Sequence, residues 1–227
     1  MNLQTDNDRK MNNRLALSDK ILNSIEKPAR YIGHEVNAVY KDKTDKVRFA
    51  MCFPDLYEIG MSHLGIQIIY DMFNSWDDVW CERVYSVWHD LHKIMKEENI
   101  PLFCLESQDS VKEFDFLGIT LQYEMCYTNI LQILDLSGID FYAANRDNDD
   151  PIVIGGGPCT YNPEPFCDFF DLIYIGEAET SYRALIDLYK AHKEKGFIRK
   201  EFLHEAAKIS GIYAPGCYKP TYNEDNT

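Results

Sequence analysis

The sequence has no paired cysteines, no basic stretch and no long apolar run, and each absence excludes something. Its seven cysteines (52, 81, 104, 126, 159, 167 and 217) stand singly. No C-x-x-C and no C-x-x-x-C-x-x-C occurs, so the chain spells neither a zinc ribbon nor a three-cysteine iron–sulfur site, and no metal site is expected. Cys52, Cys104 and Cys126 lie in or beside apolar runs, where a free thiol behaves as a small buried hydrophobe. Lys and Arg total 23 against 37 Asp and Glu, a net charge of −14. Direct nucleic-acid binding is therefore not expected, because phosphate contact needs a basic face. No run approaches the roughly 18 apolar residues of a spanning helix. The opening MNLQTDNDRK is polar throughout, with no basic-then-apolar leader. The expected location is the cytoplasm, with reduced thiols and no membrane partner.

What is present is a repeated strand–loop–helix pattern. At 227 residues and 45% hydrophobic, the chain holds one good-sized core plus extensions. Val47–Phe53 reads as a strand buried on both faces, Asp55–Gly65 as a long glycine-bearing loop, and the apolar spacing from His63 as a helix. Further strands are expected at Val79–Tyr85, Phe116–Leu121, Ile152–Ile154 and Leu172–Ile175. Helices are expected at Val87–Glu98 (capped by Ser86), Asn129–Ser137 (capped by Thr128), Ala178–Lys195 and Phe197–Ile209. Ahead of these, Ser18 caps a short helix Asp19–Ile25, and Arg30–Tyr40 alternates like a strand. Residues 1–18 and Thr221–Thr227 are polar ends.

This alternation implies an α/β fold with a doubly wound, parallel, Rossmann-like (flavodoxin-like) sheet of five strands in the order 2-1-3-4-5. The expected division is an N-terminal arm of helix and short strands (1–45), the Rossmann-like domain (46–197) and a C-terminal connector (198–227). In this order the loops after strands 1, 3 and 4 share one sheet edge, where open α/β sheets bind ligands. Candidate cofactor-binding residues there are Asp55, Tyr57, Gly60 and Ser62, then Thr120, Gln122 and Tyr123, then Gly155, Gly156 and Gly157. The glycines allow close approach of a backbone or flat ligand, and a following helix start receives polar groups. The loop after strand 1 lacks G-x-G-x-x-G, which argues against a nicotinamide site. Thr120 and Gly176 stand where a phosphoacceptor receiver needs aspartate and lysine.

These residues also carry a resemblance. Asp55-x-Tyr57-x-x-Gly60, Thr120-x-Gln122 and Gly155-Gly156 follow the order D-x-H-x-x-G, S-x-L, G-G of cobalamin-binding domains. The segments KPARYIGHEVNAV, FPDLYEIGMSHLG, FDFLGITLQYEMCYTNIL, PIVIGGGPCTYNPEP and DLIYIGEAE resemble the N-terminal domain of a group of radical S-adenosylmethionine (radical SAM) proteins. The resemblance covers about residues 27–180. It implies a binding or docking domain beside a radical SAM barrel of the same full-length protein, which would hold the S-adenosylmethionine and the 4Fe-4S cluster. It implies a cobalamin held without histidine ligation, since Tyr57 replaces the histidine, and no catalysis by this segment alone. Two alternatives accompany it: a degenerate domain that binds no cobalamin and serves as scaffold, and a flavodoxin-like module for a flavin or nucleotide. His63 is read as a cap rather than a ligand, and Cys159 as a loop or core thiol. Glu177 and Glu179 are read either as helix caps or as facing another domain.

Overall fold

The computed structural model describes residues 15–219, 221, 223 and 224, so the polar ends lie largely outside the described residues. Six strands form one sheet: β1 Val47–Phe53, β2 Val79–Tyr85, β3 Phe116–Thr120, β4 Ile152–Gly156, β5 Leu172–Tyr174 and β6 Ile212–Tyr213. Their order is β2-β1-β3-β4-β5-β6. The first five are parallel, and β6 runs antiparallel to β5. The expected five-stranded sheet thus gains a sixth strand, inside the segment expected as a C-terminal connector. The Ile175 N–H donates to the Gly211 carbonyl at 2.7 Å and starts that pairing.

Alternation along the strands divides the core into two layers. On one face Ala50, Cys52, Leu117, Ile119 and Val153 pack with Leu91 and Met95 of the helix His89–Glu98 and with Ile130, Ile133 and Leu134 of the helix Tyr127–Ser137. On the other, Phe49, Met51, Phe116, Ile152, Ile154 and Tyr174 meet the helices Leu64–Asn74, Tyr182–Glu194 and Arg199–Ala206. Phe49 stacks on Phe73 at 4.4 Å and on Phe116 at 5.5 Å between ring centres. Burial of each such ring contributes about 1.5–3 kcal/mol. Phe202 and Ala206 are fully buried here, so the helix Arg199–Ala206 shares this core.

The arm departs from expectation. Arg30–Tyr40 is not a strand: a single turn Pro28–Arg30 leads into irregular chain. Gly33 and His34 both take left-handed backbone (φ 63° and 65°), which ends any extended run. Tertiary bonds hold the segment instead. Val39 N–H donates to Tyr70 Oη, Trp80 Nε1 donates to the Val39 carbonyl, and Lys41 Nζ reaches the carbonyls of Asn74, Trp76 and Val79. The arm thereby covers the β2 edge.

Helix starts also shift. Ser18 does cap a helix, but it spans only Asp19–Leu22. The helix expected from Val87 begins at His89 without a side-chain cap: Trp88 takes the cap position, and Ser86 lies two residues before it, its N–H bonded to the Asp55 carbonyl at 3.0 Å. The helix expected after Thr128 begins at Tyr127, directly following the turn Glu124–Cys126. The stretch from Ala178 splits into a turn Ala178–Thr180 and the helix Tyr182–Glu194. Gly138 closes its helix in left-handed backbone, as its position implies.

Candidate functional site

A cleft of about 300 Å³ opens at the carboxyl ends of β1, β3, β4 and β5. It exists because successive positions on one sheet face carry little side chain: Gly118 and Thr120 on β3, Gly156 on β4 and Gly176 after β5. Met51, Ile119 and Ile154 line it from the sheet, and Gly65, Ile68 and Ile69 from the helix Leu64–Asn74. Tyr174, Tyr182 and the turn Glu177–Glu179 close the β5 side. The volume lies at the low end of small-molecule pockets.

The three consecutive glycines prove unlike one another. A Cβ on Gly155 would touch the Phe170 ring at 3.1 Å and Leu121 at 3.3 Å, so core packing on the opposite face keeps it small. Gly157 has φ +106°, and a Cβ there would come within 2.9 Å of the Leu121 carbonyl. Gly156 meets nothing within 4 Å. The fold demands the first and third; it leaves the second open toward the cleft.

The expected site residues divide in the same way. Thr120, Gln122, Gly156 and Gly157 line the cleft. Thr120 is buried, and its Oγ1 accepts a hydrogen bond from Gln122 Nε2. Asp55, Tyr57, Gly60, Ser62, Tyr123 and Gly155 do not line it. Asp55 accepts from the Leu56 N–H at 2.7 Å and from the Tyr123 hydroxyl. This bond ties the loop after β1 to the loop after β3, and the carboxylate pushes the Tyr123 phenol up to about 12. Tyr57 donates to Glu35 of the arm and packs edge-on against Tyr85. Burial, then the Glu35 carboxylate, push its phenol up to about 12. Gly60 is held small by Tyr85, whose ring carbon would lie 2.5 Å from a Cβ. Ser62 is exposed and donates to the Ile59 carbonyl at 3.4 Å.

Sequence reasoning did not place Ile68, Ile69, Tyr174, Gly176 or Tyr182 at this site. The alternation of β5 with β1 and β3 would have flagged Tyr174 and Gly176 as sharing the face of Met51 and Gly118. His63 caps the helix Leu64–Asn74, its Nδ1 accepting from the Ile66 N–H at 3.4 Å, while its ring also borders the cleft. Cys159 is a half-buried thiol against the core, and the seven cysteines are free. Among the described residues no group of three or more His, Cys, Asp or Glu side chains is arranged to hold a metal ion. Nor is any helix there long and apolar enough to cross a membrane.

An open, mostly parallel sheet with a glycine-floored cleft beyond its strand ends defines the class: an α/β domain with a cleft at one sheet edge, the place where open α/β sheets bind ligands. Residues 65–215, about two thirds of the chain, match the family described as radical SAM proteins, N-terminal, and the chain belongs to that family. It is also similar to a protein of Methanocaldococcus jannaschii named Uncharacterized protein MJ0966, with 28% identity over 166 residues. The match covers 72% of this chain and 31% of that protein, so the chain spans about a third of the length of the curated relative it matches. No solved structure matches it.

Proposed function

We propose that this chain is the cofactor-binding or docking domain that precedes the catalytic barrel of a radical SAM protein, and that its cleft receives part of a cobalamin held without a protein histidine. The observation that carries this reading is Gly156, a strand-end glycine that neither backbone conformation nor packing requires. A Cβ-free floor beside Thr120, Gln122 and Gly157 suits a group that must approach the backbone closely. At about 300 Å³ the cleft takes a portion of such a cofactor, not the whole. When bound, a cobalamin supplies organocobalt chemistry; the residues here bind and orient it. The reading assigns S-adenosylmethionine and the 4Fe-4S cluster to parts of the full-length protein outside this chain. Exposed apolar side chains on the same edge, including Met61, Leu64, Met125 and Tyr161, support docking of the barrel there.

A second reading, a scaffold that binds no cobalamin, is favoured by one feature. The Tyr123–Asp55 bond spans two of the loops that a corrin would have to share. Titration with hydroxocobalamin, followed by its visible spectrum and by retention through desalting, separates the two. Stoichiometric retention by this chain that is abolished by Gly156→Trp supports cofactor binding. Absence of retention by both this chain and the full-length protein supports the scaffold.

A further inference from the structure

The charges around the cleft point to the kind of ligand it accepts. Among its lining residues there is no lysine or arginine, whereas Glu177 and Glu179 both border it. Both are exposed, and neither carboxylate meets a cationic side chain among the described residues. The opposing influences are two helix starts: that of Leu64–Asn74, which reaches the cleft through His63 and Gly65, and that of Tyr182–Glu194, whose first residue lines the cleft and which has no side-chain cap. A helix N-terminus carries about half a positive charge, and at the first of these the Ile66 and Gln67 N–H groups already bond to His63. Two full negative charges outweigh two half charges, one of them partly used.

Deeper in, Thr120 Oγ1 accepts from Gln122 Nε2, which leaves the threonine proton and the glutamine carbonyl for a ligand. Apolar walls from Ile68, Ile69 and Ile154 flank this donor and acceptor. Such a site suits the polar edge of a flat heterocycle.

We infer that the cleft accepts an uncharged or cationic heterocycle and turns away ligands that carry a phosphate into it. The inference rests on reading the cleft as a cofactor site, but not on that cofactor being cobalamin. A phosphate monoester carries about −1.5 to −2 charges at pH 7. Facing two carboxylates across a few ångströms of water, it should bind about tenfold or more weakly than its uncharged counterpart.

Equilibrium dialysis of the chain against adenosine and against adenosine 5′-monophosphate at low salt tests this. Adenosine should bind at least tenfold more tightly. Glu177→Gln with Glu179→Gln should bring the monophosphate close to adenosine, and 1 M salt should narrow the gap. Both glutamates are exposed and form no ion pair among the described residues, so an unchanged melting temperature is the folding control. Equal or tighter binding of the monophosphate, an unchanged ratio in the double variant, or no binding of either probe at millimolar concentration would overturn the inference. Hydroxocobalamin retention is read separately. Discrimination without retention sinks the cobalamin reading alone, and retention without discrimination sinks this inference alone.

Discussion

Asp171 is the place where a single atom group should cost most. Its carboxylate is fully buried immediately before β5. Oδ2 accepts from Arg146 Nη1 at 2.9 Å, from Arg199 Nη2 at 2.7 Å and from the Val153 N–H at 2.8 Å. Arg199 then holds the carbonyls of Asp147, Asp150 and Pro151, while Arg146 holds those of Asp140, Phe141 and Phe169. One anion thus joins β4, β5, the loop before β4 and the helix Arg199–Ala206. Asp171→Ala leaves two buried guanidinium groups without an anion and orphans the Val153 N–H. Breaking a buried pair costs about 3–5 kcal/mol, and an orphaned N–H about 1–3. The two overlap, and about 4 kcal/mol is expected. Against a total stability of roughly 5–15 kcal/mol, that is close to unfolding. Arg146→Met should cost less, because Asp171 keeps Arg199 and the repulsion between the arginines disappears. That repulsion, with burial as the larger cause, holds the Arg146 guanidinium below its ordinary range. Urea unfolding followed by far-ultraviolet circular dichroism measures both variants. An Asp171→Ala cost under about 1 kcal/mol, or one smaller than that of Arg146→Met, would refute the reasoning.

Glycine substitutions test the cleft without any ligand. Gly118→Ala should destabilise by about 1–3 kcal/mol, because its Cβ would lie 2.5 Å from the Phe49 ring. Gly156→Ala should be neutral in thermal melts, and a large loss there would mean the floor is structural. Asp78 joins the loop before β2 to the helix Tyr182–Glu194, with Arg183 on both oxygens at 2.8 Å and Lys190 at 2.6 Å. Arg183 chiefly, then Lys190, hold this carboxyl well below its ordinary range. Its contribution is therefore present above the unfolded value of about 3.9 and is lost as pH falls below it. Asp78→Asn should cost about 1 kcal/mol at pH 7, and the gap to wild type should close in acid; a pH-independent gap contradicts the assignment. Of the seven thiols only Cys217 is exposed, so a thiol reagent should titrate one quickly, and Cys217→Ser should remove that phase. Two fast thiols would show that the core around Cys159 opens.

The parallel strands were legible because each is a short apolar run punctuated by glycine, proline or a cap, and those signals are local. β6 was not, since two residues have no period and Ile212–Tyr213 becomes a strand only through Ile173 and Tyr174 of β5. The arm misled because Tyr31, Ile32, Val36, Ala38 and Tyr40 alternate as a strand does, while the left-handed backbone at Gly33 and His34 is set by contacts elsewhere. A Cβ on Gly33 would lie 2.3 Å from the Leu105 carbonyl. The charges buried along β2 were equally hidden: Glu82 and Glu106 are fully buried against Arg48 and Arg83.

By itself the sequence determined the alternation of strands and helices, the sheet edge at which three loops gather, and the family. Periodicity and motif order are properties of neighbours in the chain, and they survive without a structure. Only the tertiary structure decided which glycine is spare and which residues border the cleft. Gly155, Gly156 and Gly157 are identical in the chain, and what distinguishes them is the Phe170 ring, open space and the Leu121 carbonyl. Tyr57 and Tyr123 lie outside the cleft lining, each bonded to a carboxylate distant in sequence that only folding brings within reach.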